Sequence, residues 1–102
     1  MNMKDKIIFR AFLTQEGYIS SQYSYRGEAY INIYFKVKGK FFTNDVLHKI
    51  SCIDFKDNSI EGYGHPITNE KIKKTLEKIT NKKYKLTFDR DEPLMYTNLT
   101  LD

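Results

Sequence analysis

Tryptophan is absent from these 102 residues, cysteine occurs once and proline twice. A single thiol, Cys52, excludes an internal disulfide framework, so the core must stand on packing, and a reducing compartment is the expectation. No apolar run approaches the roughly 18 residues that a bilayer crossing needs. The opening Met1-Asn2-Met3-Lys4-Asp5-Lys6 leads only into Ile7, Ile8 and Phe9 before Arg10, which is not the pattern of a secretory signal. The sequence therefore predicts a cytoplasmic protein with no membrane partner.

Chemical motifs are equally scarce. His48, Cys52 and His65 fall short of a zinc set at recognised spacing. Cys52 lies among Ile50, Ile53 and Phe55 and reads as a small core residue rather than a nucleophile. His65 has no identifiable partner for acid–base chemistry. Asp89, Asp91 and Glu92 match no calcium loop, and Gly62-Tyr63-Gly64 lacks the further residues of a phosphate-binding loop, so it reads as a strand exit. No cofactor, no metal and no enzymatic activity are expected.

What is present is a composition that folds. Hydrophobic residues make up 40%, aromatic residues 15% and charged residues 29%, which belongs to soluble globular chains rather than disordered ones. One domain, residues 1–102, buries roughly two-thirds of its unfolded surface at this length.

The clearest stretch is Glu28–Lys38. Ala29, Ile31, Ile33, Phe35 and Val37 alternate with Tyr30, Asn32, Tyr34, Lys36 and Lys38, the period of a strand with one apolar face. Ile7–Leu13 also alternates, with Ile7, Phe9, Ala11 and Leu13 on one side, and is read as a first strand. Gln15-Glu16-Gly17 is a turn, Tyr18–Tyr25 an edge strand, and Arg26-Gly27 the turn into the central strand. Gly39-Lys40 closes the next hairpin. A short helical turn or bulge is expected near 44–48, then a hairpin of 50–55 with 59–63.

One helix is expected over 68–81, capped by Thr68 or Asn69, with Ile72, Leu76 and Ile79 on one face. Tyr84–Asp89 and Leu94–Leu101 read as closing strands. The expected fold is α+β: a curved antiparallel sheet of about five to seven strands under one main covering helix.

Two surfaces are candidates for a partner. On the helix, at about 100° per residue, Lys71, Lys74, Lys78 and Lys82 form a flank of one sign suited to phosphates or an acidic protein surface. On the sheet, Tyr30, Asn32, Tyr34, Lys36 and Lys38, joined by Tyr23 and Tyr25 of the neighbouring strand, interleave rings and cations. That pattern serves nucleic-acid stacking and equally a protein interface. A solvated lysine face in an AT-biased genome explains the first pattern without function, and ordinary cross-strand tyrosine pairing explains the second.

The functional expectation is a small non-enzymatic protein that occludes a surface of a macromolecular partner. A protein is the expected partner, in the manner of phage or mobile-element inhibitors of host defence factors. Single-stranded nucleic acid is the alternative. The net charge of +4 argues against DNA mimicry, and an edge strand leaves monomer and homodimer both open.

Overall fold

The computed structural model describes residues 2–25, 28–41, 44–90 and 92–97, with the backbone alone described at 22–25, 28–29, 90 and 96–97. The elements in chain order are α1 (Met3–Gln15), β1 (Ile19–Tyr25), β2 (Glu28–Val37), β3 (Val46–Asp54), β4 (Ser59–Tyr63), α2 (Pro66–Thr80), β5 (Lys85–Arg90) and β6 (Leu94–Thr97). The fold is α+β, an open and mostly antiparallel six-stranded sheet in the order β1-β2-β3-β4-β5, with β6 joining at β3.

The stretch expected to be a first strand is helix α1. Asn2 caps it, its side chain accepting from the Asp5 N–H at 2.8 Å. Gly17, at φ 88°, ends it in the left-handed region, and the Tyr18 N–H returns to the Leu13 carbonyl at 2.9 Å. Phe9 and Leu13, one turn apart, are fully buried, while Ile7 is 62% exposed. The alternation of 7, 9, 11 and 13 was compatible with a strand, but the burial follows the helical spacing.

The helical turn or bulge expected near 44–48 is not found there: β3 runs from Val46 to Asp54, and its irregularity falls at Ile50. Its two halves have different partners: 51–54 pair with β4, and 46–49 pair with β6. The hairpin of β3 with β4 falls where it was expected. Between these halves the register against β2 slips, from Ile33 opposite Ser51 to Tyr34 opposite Lys49, leaving Ile50 as a bulge.

Asn69 holds that bulge under α2. Its Nδ2 donates to the carbonyls of Ile50 at 3.1 Å, Gly64 at 3.0 Å and His65 at 3.2 Å. Asn69 is therefore not the helix cap. The N-cap is His65 in the left-handed region at φ 49°, with Pro66 following at the first turn, where its missing N–H costs nothing. At the other end Asn81 (φ 57°) closes α2 through its N–H to the Glu77 carbonyl at 2.8 Å.

Because β4 and β5 are parallel, α2 serves as their crossover. Gly62 identifies which face α2 covers: a Cβ on Gly62 would meet Asn69 Cγ at 3.0 Å. The cross-strand rows Ile33–Ser51–Gly62–Phe88 and Ile31–Ile53–Ile60–Leu86 thus face the helices. Phe9, Leu13, Ile31, Ile33, Ile50, Ile53, Ile60, Ile72 and Leu76 form the core between sheet and helices.

Candidate partner-binding surfaces

The outward row of β2 does not present the platform read from its alternation. Asn32 is 5% and Tyr34 4% exposed, although among the described residues no helix covers that face. Ser21, opposite Asn32 on β1, is also buried. Tyr30 is half-buried, and Lys36 and Lys38 are exposed. Tyr23 and Tyr25 lie on β1 in register with Tyr30 and Glu28; their side chains fall outside the described part. The structure therefore separates Lys36 and Lys38 from the buried Asn32 and Tyr34.

The same face carries a polar cluster that was not foreseen, because its members come from three strands. Lys49 places its ammonium 5.4 Å from the Tyr63 ring centroid. The Tyr63 hydroxyl donates to Glu61 Oε1 at 2.6 Å. A hydrogen bond from Asp89 raises the Glu61 pKa, with Tyr63 and Lys49 acting against it. Burial pushes the Tyr63 phenol well up, and the hydrogen bond to Glu61 adds to this. Cys52 is in the next cross-strand position to Glu61, half-buried on this face and not in the apolar core. Burial raises its thiol pKa more than Lys49 lowers it, which keeps the sulfur protonated and unsuited to nucleophilic attack. Among the described residues no group of three or more His, Cys, Asp or Glu side chains is arranged to hold a metal ion.

The lysine flank lies on α2, and its members have different surroundings. Lys71 is tied to Glu16 at the end of α1, Nζ to Oε1 2.6 Å. Lys74, Lys78 and Lys82 are exposed. A shallow groove of about 470 Å³ is lined by Pro66, Ile67, Glu70, Lys71, Lys74 and Thr75, so that of the flank Lys71 and Lys74 border it.

A third surface was not anticipated at all. The helices stop short of one end of the sheet. There the rows Phe35–His48–Met95 and Val37–Val46 continue the helix-facing side, and among the described residues neither α1 nor α2 packs over Val37 or Met95. Met95 is 69% and Val37 41% exposed. His48 and His65 both rest on the Phe35 ring, with centroids 4.7 and 4.9 Å apart. In the loop after β2, Asp45 accepts from the Gly39 N–H at 2.8 Å and lies 3.8 Å from the Lys36 ammonium. On that loop Phe41 stands 99% exposed, with its backbone at φ 58°. The sequence signal was available in the Phe41-Phe42 pair between Lys40 and Thr43, but it reads equally as the start of a returning strand.

Compared with protein-family models, with curated proteins and with solved structures, the chain gave no match.

Proposed function

We propose that this is a small non-enzymatic binding protein that acts by covering a surface of a protein partner. The observation that carries the reading is Phe41: a phenyl ring 99% exposed, four residues beyond the exposed Val37 and on the same chain segment as the Gly39–Asp45 hydrogen bond. An aromatic ring with the exposed apolar side chains of Val37 and Met95, and with Lys38 and Lys40 next to it in sequence, has the composition of an interface core with a polar rim. The action is occlusion without turnover, which suits an inhibitor of a host factor encoded by a phage or mobile element. The proposed binding end consists of Val37, Phe41 and Met95, with Lys38 at its edge and Lys36 on the opposite face of β2.

Single-stranded nucleic acid is the second reading, favoured by the same exposed ring next in sequence to Lys38 and Lys40. Fluorescence anisotropy with labelled single- and double-stranded DNA and RNA at about 50 and 200 mM salt separates the two. Weak binding at both salts, together with a protein captured from host lysate by the wild type and lost with Phe41→Ser, supports the protein partner. Tight binding that falls several hundred-fold or more between the salts overturns it in favour of nucleic acid.

A further inference from the structure

We infer that the outer surface of α2 is a second docking site, which takes an acidic amphipathic helix of another protein. This surface is separate from the sheet end on which the proposed function rests. Ile67 is 86% exposed at the head of α2 and, with Pro66, supplies the apolar lining of the groove. Lys74 and Lys78 follow Ile67 along the same side of the helix, near 200° and 240° from Ile72 against about 220° for Ile67. Lys71 is anchored to Glu16, which fixes one wall of the groove.

Charge distribution names the class of occupant. The helix layer, residues 3–16 and 66–83, has nine Lys or Arg against four Asp or Glu, while the remaining residues have eight against nine. The excess positive charge of the protein is thus concentrated on one layer, beside exposed apolar side chains (Met3, Ile7 and Ile8 on α1, Ile67 on α2). Carboxylates paired with Lys74 and Lys78, and one apolar side chain seated against Ile67 and Pro66, satisfy both features together. A second copy of this chain would bring two cationic layers into repulsion. Nucleic acid finds no aromatic ring in the groove lining and meets the carboxylate of Glu70. A bilayer presents a flat surface to a concave site.

The test uses the full-length protein and a synthetic helical peptide of about 18 residues, with Leu at i, i+3, i+4 and i+7 and Glu at most other positions. Its controls are a scrambled peptide of the same composition, oligo-dT and vesicles of phosphatidylserine with phosphatidylcholine. Binding is followed by amide chemical shifts. The expected result is shifts confined to α1 and α2, with affinity at least about tenfold above the scrambled peptide. Ile67→Asp and the Lys74→Glu/Lys78→Glu pair should each weaken binding about tenfold or more, whereas Ile67→Val retains it. These positions are solvent-exposed, so the fold survives the changes. Phe41→Ser should leave peptide binding unchanged, which separates this site from the sheet end. Equal binding of the scrambled peptide, indifference to Ile67→Asp, or tighter binding of oligo-dT or vesicles overturns the inference.

Discussion

The Tyr63 hydroxyl donates to Glu61 Oε1 at 2.6 Å within β4, on the outward face where Asp89 of β5 raises the Glu61 pKa. Asp89 disfavours the charged form of Glu61 while the Tyr63 hydrogen bond favours it, and the folded state on balance favours a protonated Glu61.

A pH dependence of definite sign follows. The Glu61 pKa is raised in the folded state, first by the Asp89 bond. Its stabilisation is therefore complete below the ordinary glutamate range and is lost as pH rises through the raised folded value. Glu77 has the opposite sign: the Tyr84 backbone N–H, donating to Glu77 Oε2 at 2.9 Å, lowers its pKa. Its contribution is present above the ordinary range and is lost as pH falls through the lowered value. Melting temperatures recorded from about pH 3 to 8 should show Glu61→Gln gaining on the wild type as pH rises past about 4. A constant offset between the two across that range would mean that folding does not raise the Glu61 pKa.

Asn69 joins the bulge at Ile50 to the first turn of α2 through three carbonyl acceptors. Replacement with Ala removes the side-chain donor from the Ile50 and Gly64 carbonyls at a fully buried position, while the His65 carbonyl keeps the Asn69 backbone N–H at 3.0 Å, and should cost about 1–3 kcal/mol. Asn69→Asp should be worse, since a carboxylate would then face carbonyl oxygens. Urea unfolding of both variants checks the order, and an Asp variant as stable as Ala would contradict the placement of Nδ2.

Gly62 is required by space, not by dihedral freedom. An added Cβ would come within 2.9 Å of Phe88 Cε1 and 3.0 Å of Asn69 Cγ. Asn69 is held by its hydrogen bonds, whereas Phe88 is 46% exposed and able to yield. Gly62→Ala should cost about 1–3 kcal/mol. Combining it with Phe88→Ala should recover part of that loss relative to the sum of the single changes, measured as a double-mutant cycle.

How much could be read from sequence depended on whether a segment's pattern was local. The period of two at Ile31 and Ile33, and the spacing of Ile72 and Leu76, carry strand and helix by themselves, and all four residues are core. Pairing partners are not local. The parallel β4–β5 pair and the division of β3 between β4 and β6 depend on where α2 returns the chain, and the cluster of Lys49, Glu61, Tyr63 and Asp89 depends on both. Alternation assigns a residue to a face but does not say whether that face is exposed, and Asn32 and Tyr34 are buried on theirs. The exposure of Met95 and Val37 depends on where α1 and α2 lie over the sheet, and no single segment records that.

Helix α1 supplies the sharpest contrast between the two readings of one segment. As a strand, Ile7 and Leu13 would share a face and their substitutions would cost similar amounts. As a helix, Leu13 is fully buried against the core while Ile7 is 62% exposed. Leu13→Ala should therefore cost about 2–5 kcal/mol, and Ile7→Ser should fall within about 0.5 kcal/mol of the wild type. Denaturant midpoints at unchanged slope measure the pair. Comparable losses at both positions would return residues 7–13 to the sheet. Near-neutrality at Ile7 would instead leave an exposed apolar side chain on the cationic helix layer, beside the site inferred for an acidic partner.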